Sequence, residues 1–385
     1  MTTKPSPSLI ALSTTALALP GIATADAPPS QSNVSYKFSN YLEDDLSRSE
    51  VPFGDLGRYD IDVHQFQLIA PIDRSFSLQV DVNYESLTGA SPWFTSQGVN
   101  GAPIVNLSGA SGIRDARTEI SVGSSYYLSN GSLSGNIGYS EEDDYRAKYL
   151  GLSGERHFNN DMTTVSLGLS YSSDDIFPTD AKVFNRVISE NKHSTSAVIS
   201  VSQIITQVSS YQIALSLTEQ SGFLSDPYKL KDIRPNNRTQ IAITNSYRHF
   251  FISANAAWHV NYRYYHDDFG ISSHTFDMRW YQNLRPLIQL VPSVRYYSQS
   301  AADFFVNVDN FLKPPSVYQS SDHRLSAFGA FSGGLSFVAN VGSWTATLTA
   351  ERYVSNNSYS AYEVTQPSTA LVSYNRISLG FDYTF

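Results

Sequence analysis

The sequence predicts an all-β protein: a transmembrane antiparallel β-barrel of about 16 strands with short periplasmic turns and longer outer loops. Three observations carry that prediction. Ile377, Leu379, Phe381, Tyr383 and Phe385 alternate with Ser378, Gly380, Asp382 and Thr384, and the chain stops on the aromatic residue. A period of two puts the apolar set on one strand face and the polar set on the other. Left unpaired in water, such an edge invites association; a barrel closes it against the first strand. Second, similar segments recur along the chain, joined by connections that alternate between short and long. Third, aromatics make up 13% and charged residues only 16%, which suits aromatic belts and a lipid-facing surface better than a soluble one.

Residues 1–25 read as a secretory signal. Lys4 supplies the positive charge, Leu9 to Leu19 the apolar run, and Ala23-Thr24-Ala25 the small-residue cleavage site. Cleavage there leaves 26–385 as one barrel domain. No later segment has the roughly 18 apolar residues of a spanning helix, and the mean hydropathy is −0.25. Only a closed barrel then satisfies the backbone in lipid. The absence of cysteine excludes disulfides, thiolate metal sites and covalent c-type haem. A net charge of −9 argues against nucleic acid as a partner.

Taken in order, the expected strands lie near 33–42, 58–70, 74–87, 114–127, 131–141, 146–158, 161–173 and 192–204. They continue near 209–219, 238–249, 253–265, 271–283, 286–299, 322–338, 342–353 and 371–385. Phe76, Leu78, Val80, Val82 and Tyr84 against Ser77, Gln79, Asp81 and Asn83 show the pattern well, as do Trp344, Ala346, Leu348 and Ala350 against three threonines. Short connections fall near 71–74, 129–132, 159–161, 206–208, 284–286 and 340–342. Long ones fall near 88–113, 174–191, 220–237, 300–321 and 354–370. With the last strand ending in the periplasm, every long connection lies outside.

The loop and strand-end sequences carry a resemblance. They include GASPW (Gly89–Trp93), RDARTE (Arg114–Glu119), YSEEDDY (Tyr139–Tyr145), SSDDIFP (Ser172–Pro178) and SDPYK with RPNNR (Ser225–Lys229, Arg234–Arg238). YRYYHDDFGISSHT (Tyr262–Thr275), RYYSQSAADFF (Arg295–Phe305) and SSDHRLSAFGAFS (Ser320–Ser332) follow. In these the chain resembles a family of bacterial outer-membrane barrels known as a domain of unknown function, three-five-seven-zero. The resemblance implies a barrel in a Gram-negative outer membrane and no established activity. It also implies a gene neighbourhood with a small lipoprotein and a transferase that attaches FMN to proteins.

G-x-S-x-G, H-E-x-x-H, G-x-x-x-x-G-K-[ST] and G-x-G-x-x-G are all absent, so no enzymatic activity is expected. His266 and His274, with Asp267, Asp268 and Asp277, have residue types that bind zinc or copper, but their spacing fits no coordination pattern; a solvated loop is the simpler reading. Arg234 and Arg238 suit an anion or neighbouring carboxylates. Thr88-Gly89-Ala90-Ser91 and Ser108-Gly109-Ala110-Ser111 resemble the core modified by FMN transferases, which would make Ser91, or less well Ser111, the flavin acceptor. Glu85 matches the acidic position of the first copy and Val105 departs from it in the second. A compact outer loop explains both.

The acidic groups support a different expectation. Glu43, Asp44 and Asp45, then Glu141, Glu142, Asp143 and Asp144, then Asp174 and Asp175, Asp267 and Asp268, and Asp303 all fall at the outer end of this topology. Such a rim concentrates cations, holds a divalent ion through oxygen, or bridges to lipopolysaccharide; simple loop solvation accounts for it equally. Two roles follow. One is a channel or transport component for small polar or cationic solutes. The other is a non-conducting barrel that scaffolds a lipoprotein in a flavin-linked redox or metal-handling assembly. Outer-membrane lipid and the barrel insertion machinery are the partners either role requires.

Overall fold

The computed structural model describes residues 29–54, 56–90, 92–107 and 113–385. The expected signal at 1–25, and Ser91 and Ser111, lie outside the described residues. The strands in chain order are β1 (Asn33–Glu43), β2 (Asp60–Pro71), β3 (Phe76–Gly89), β4 (Pro92–Gln97), β5 (Pro103–Leu107), β6 (Ile113–Leu128) and β7 (Gly131–Glu141). Next come β8 (Tyr145–Phe158), β9 (Thr163–Ile176), β10 (Glu190–Thr206), β11 (Ser209–Gly222), β12 (Asp232–Ile233), β13 (Asn237–Phe251) and β14 (Ala256–Asp267). The last are β15 (Ser272–Arg285), β16 (Ile288–Gln299), β17 (Gln319–Ser320), β18 (Phe328–Val341), β19 (Trp344–Asn356) and β20 (Tyr374–Thr384).

Sixteen of these close into one antiparallel barrel, and β4-β5 and β12-β17 form two small loop sheets. Closure is made where the terminal alternation predicts it. β20 pairs with β1 from Asn33↔Thr384 to Glu43↔Tyr374, and Ser32 and Phe385 exchange backbone hydrogen bonds of 2.9 Å in both directions. Every backbone group along the seam therefore has a partner, which is what lipid demands.

Side-chain parity divides the wall. Leu167, Leu169 and Tyr171 of β9, Ile213, Leu215 and Leu217 of β11, and Ile377, Leu379 and Phe381 of β20 are exposed, forming an apolar outer face. The opposite parity is polar and cross-linked. Gln67 donates to Asp81 at 2.7 Å, Gln79 donates to Asp81 at 2.8 Å, and Ser125 meets Ser134 at 2.7 Å. Aromatic pairs gather near both ends of the outer face. Phe76–Tyr126 and Trp344–Tyr383 lie toward the short turns, while Tyr262–Phe276 and Tyr296–Phe331 lie toward the loops. Among the described residues no helix is long and apolar enough to cross a membrane.

One end of the barrel carries only tight turns (72–75, 129–130, 159–162, 207–208, 252–255, 286–287 and 342–343), and the other carries all the long loops together with the short connections 142–144 and 268–271. The expected strands match the barrel strands, with one informative difference. The strand expected from residue 322 begins at Phe328, because Asp322 caps a 3-10 turn over His323–Leu325 by accepting from the Arg324 N–H at 3.0 Å. Polar loop chemistry wins there over alternation.

The loops pack on one another. The Val105 N–H donates to the Glu50 carbonyl at 2.7 Å, and Leu230 N–H to the Trp93 carbonyl at 2.9 Å. Asp309 N–H donates to the Thr95 carbonyl at 2.9 Å, and Asp309 Oδ2 accepts from the Thr95 N–H at 2.8 Å. Two small apolar cores hold this cap: Leu46, Val51, Val105 and Ala370; and Phe269, Ile271, Ala302, Phe305 and Leu325.

Candidate functional site

The site begins with the inward parity of the strands. On β3, β6 and β8 it carries Asp81, Glu85, Glu119 and Glu155; on β13, β14, β15 and β16 it carries Arg248, Arg263, Arg279 and Arg295. In the closed order the first group occupies positions three to six and the second positions ten to thirteen. The two sets therefore face each other across the lumen. Each wall holds exceptions: Arg117 sits among the carboxylates, while Asp277 lies 3.4 Å from Arg279 and Asp267 lies 2.5 Å from Arg238.

At the loop end the cap reaches this wall. A cavity of about 310 Å³ is bounded by Lys192, Arg238, Arg263 and Tyr297 of the strands together with Arg234 and Leu325 of the loops. A second, of about 350 Å³, lies between Arg295, Glu351 and Tyr353 of the wall and His323 of the loop. Gln299 Nε2 donates to the carbonyls of Arg324 (3.0 Å) and Ser326 (2.7 Å), so the 300–327 loop is fastened inside the mouth.

Two arginines form the latch. Arg234 donates to both oxygens of Asp232 (2.7 and 2.8 Å) and to Asp322 Oδ2 at 2.8 Å. Arg324 holds Asp322 at 2.5 Å and reaches Asp226 at 3.1 Å. Burial alone would raise the Asp322 pKa; instead Arg324 and Arg234 hold its carboxyl well below the usual carboxylate range. Burial lowers the neighbouring His323 pKa to about 3, with only Asp322 opposing and Arg58, Arg324 and Lys229 adding to the fall. Three aspartates share two guanidiniums beside a neutral imidazole, tying β12 and β17 into a single loop unit.

The predicted acidic rim lies at this end, but the structure sorts it into different environments. Glu43 is bound by Arg58 at 2.5 Å, Asp44 by Arg352 at 2.5 Å, and Glu141 by Arg146 at 2.9 Å. Arg352 holds Asp44 below its ordinary pKa. Asp174 meets Lys192 at 3.0 Å and Asp267 meets Arg238 at 2.5 Å. Asp268 accepts from the Thr239 N–H at 3.0 Å. Asp45, Asp143 and Asp175 are exposed, and Asp303 packs beside Gly270. The two histidines and Asp267 do not converge: His266 and His274 share the outer parity with Tyr262 and Tyr264, while Asp267 and Asp277 face inward. His266 meets Ser272 at 2.9 Å and His274 meets the Tyr262 hydroxyl at 2.9 Å. Arg234 and Arg238 both pair with carboxylates. Glu85, the acidic position of the first flavin-like core, lies 3.6 Å from Arg117.

Glu142 and Asp144 differ from the rest of the rim. Together with Asp115 of β6, each offers an oxygen, and the three oxygens lie within 4.8 Å of one another. All three residues are buried, at 7%, 3% and 5% exposure for Glu142, Asp144 and Asp115. Burial, then Asp144 and Asp115, push the Glu142 pKa up to about 8. Burial likewise raises Asp144 to about 7, against the Tyr228 hydrogen bond. Sequence reading omitted Asp115 because it lies in a strand; pairing of β6 with β7, ending at Thr118↔Glu141, brings it under the 142–144 turn.

Comparisons with known proteins agree on the fold. A siderophore receptor, PirA from Pseudomonas aeruginosa, is similar over 92% of this chain and 62% of its own, with 10% identity and a TM-score of 0.48. A bacterial polysaccharide outer membrane secretin gives 0.54 at 8% identity, covering 92% of this chain and 98% of its own. CdiB from Acinetobacter baumannii gives 0.53 at 7% identity, over 93% and 60%. The chain spans about six-tenths of the length of the receptor and of CdiB. The secretin and CdiB likenesses are of fold alone, and on them the fold resembles that of Gram-negative outer-membrane proteins. No curated protein matches the chain in sequence. The model of one family, described as a protein of unknown function (DUF3570), matches residues 9–375, and the chain belongs to that family.

Proposed function

We propose that this barrel is a transport component of a Gram-negative outer membrane, passing small polar solutes through a mouth that its own loops close at rest. The observation that carries the reading is the charge-separated lumen. Carboxylates on β3, β6 and β8 face guanidiniums on β13 to β16. A transverse field between such walls, in a low-dielectric shell, aligns dipolar solutes and lowers the cost of moving them. In this orientation the tight turns face the periplasm and the cap faces out. The alternating strand that ends on Phe385 is the element offered to the insertion machinery, with lipid and lipopolysaccharide around the belts. The protein has no catalysis of its own in this reading.

The interlocked cap favours a second reading, a non-conducting barrel that scaffolds a small lipoprotein in a redox or metal-handling assembly. Planar-bilayer recording separates the two. Wild-type barrel is expected to be silent or to open rarely. Arg234→Ala/Arg324→Ala, which cuts the latch, is expected to give stable conductance steps. A latch variant that inserts as a heat-modifiable barrel yet stays silent removes the transport reading and leaves the scaffold.

A further inference from the structure

Beyond transport, and independently of it, we propose that Asp115, Glu142 and Asp144 form a binding site for a divalent cation, calcium by preference, at the loop end of the barrel.

Proximity and burial are the first support. Three carboxylate oxygens within 4.8 Å of one another are close enough to share one calcium ion, since two oxygens on opposite sides of it at about 2.4 Å each stand about 4.8 Å apart. Magnesium gives up its water reluctantly, which disfavours it among buried protein carboxylates.

The second support is independent. Asp115 Oδ2 and Asp144 Oδ1 are buried and have no hydrogen-bond partner. Native proteins rarely leave such atoms bare, and a buried carboxylate oxygen without a donor calls for a cation or a proton. The other oxygens are accounted for. Asp115 Oδ1 accepts from the Ala116 N–H at 2.8 Å, and Asp144 Oδ2 accepts from the Tyr228 hydroxyl. Asp267, equally buried, shows the contrast: its Oδ1 takes the Phe269 and Ile271 N–H groups and its Oδ2 takes Arg238 and Tyr265.

Carboxylates outnumber the cations around the cluster. Arg117 is the cation at hand, and it is shared. It reaches Glu119 at 2.6 Å, Glu85 at 3.6 Å and Glu142 at 3.8 Å, while its Nε donates to Ser140 at 2.8 Å. Lys192, next along the wall, is held by Asp174 at 3.0 Å. Arg146 faces outward on Glu141. One guanidinium thus serves Glu85, Glu119 and Glu142, while Arg186, stacked on the Tyr228 ring, is the guanidinium that feels Asp144.

The site also joins elements. The Phe177 N–H donates to the Asp144 carbonyl at 2.8 Å, and Tyr228, whose hydroxyl reaches Asp144, accepts from the Thr179 N–H at 3.1 Å. An ion there would draw together β6, the 142–144 turn, the 177–189 loop and the 223–236 loop that carries Asp226 and Asp232.

The test uses the full barrel in detergent free of lipopolysaccharide, stripped with chelator and titrated with calcium chloride by calorimetry. Terbium luminescence sensitised by Tyr145 and Tyr228 gives a second readout. One ion per chain is expected, with a Kd between roughly 10⁻⁶ and 10⁻³ M. Asp115→Asn, Glu142→Gln and Asp144→Asn should each weaken it at least about tenfold, as losing one charged ligand does. Glu141→Gln, one residue away on the outer face, should bind as wild type. Absence of saturable binding up to about 10 mM, ten times the weakest calcium modules, overturns the proposal. So does wild-type affinity in Glu142→Gln or Asp144→Asn. Should Asp115→Asn fail to form a heat-modifiable barrel, wild-type stoichiometry and these two variants still decide the matter.

Discussion

Glu43 and Arg58 meet at 2.5 Å with side chains only 6% and 2% exposed, and Arg58 also donates to the Ala370 carbonyl at 3.0 Å. Removing one partner strands a buried charge, so Arg58→Met should cost about 3–5 kcal/mol of unfolding free energy. Glu43→Gln in the same chain should restore much of it. Denaturant unfolding of the lipid-embedded barrel measures both, and an unchanged midpoint for the single variant would contradict the pairing. At Gly138 a Cβ would fall 2.1 Å from the Tyr149 ring, whose hydroxyl donates to Glu119 at 2.6 Å. Gly138→Val should therefore push Tyr149 off Glu119 and destabilise the acidic wall, seen as a lower thermal midpoint. At this scale little was legible in advance. Acidic residues could be counted, but whether each meets an arginine, as Glu43 does, or another carboxylate, as Glu142 does, depends on pairings across strands tens of residues apart.

Between the strands, the loops are elements in their own right. The tight turns and long loops were readable from the recurrence of alternating segments, since a barrel strand must alternate and a turn must break it. The hairpin of β4 and β5 and the bridge of β12 to β17 were not. Strands of two to six residues carry too few alternations to register, and β12 and β17 find each other from different loops. His323 makes the cap pH-sensitive. Its folded pKa of about 3 lies below the ordinary 6.5, so the unfolded loop binds more protons between those values. The neutral imidazole's contribution is complete above about pH 6.5 and is lost as pH falls toward 3. Asp322, Arg324, Arg58 and Lys229 are the charges facing it. Protease cleavage within 300–327 should accordingly rise severalfold from pH 7.5 to pH 4.5, and His323→Asn should flatten that rise. Equal cleavage at both pH values in the wild type would contradict the assignment.

For the whole molecule, the strand count, the antiparallel order and the closure of β20 on β1 were all legible, because a barrel wall with an apolar outer face and a polar inner one imposes a strict period of two and leaves no open edge. The segregation of lumen charge was not, since it appears only when the ring order sets β3–β8 opposite β13–β16. That segregation underlies the proposed transport role, and reversal potential tests it most directly. Latch-cut barrel (Arg234→Ala/Arg324→Ala) is recorded in a potassium chloride gradient, with and without Arg263→Gln/Arg279→Gln/Arg295→Gln. Leaving the carboxylate wall unopposed should move the reversal potential toward the potassium equilibrium value. A reversal potential unchanged by the three substitutions, or no current from either barrel, would contradict the account.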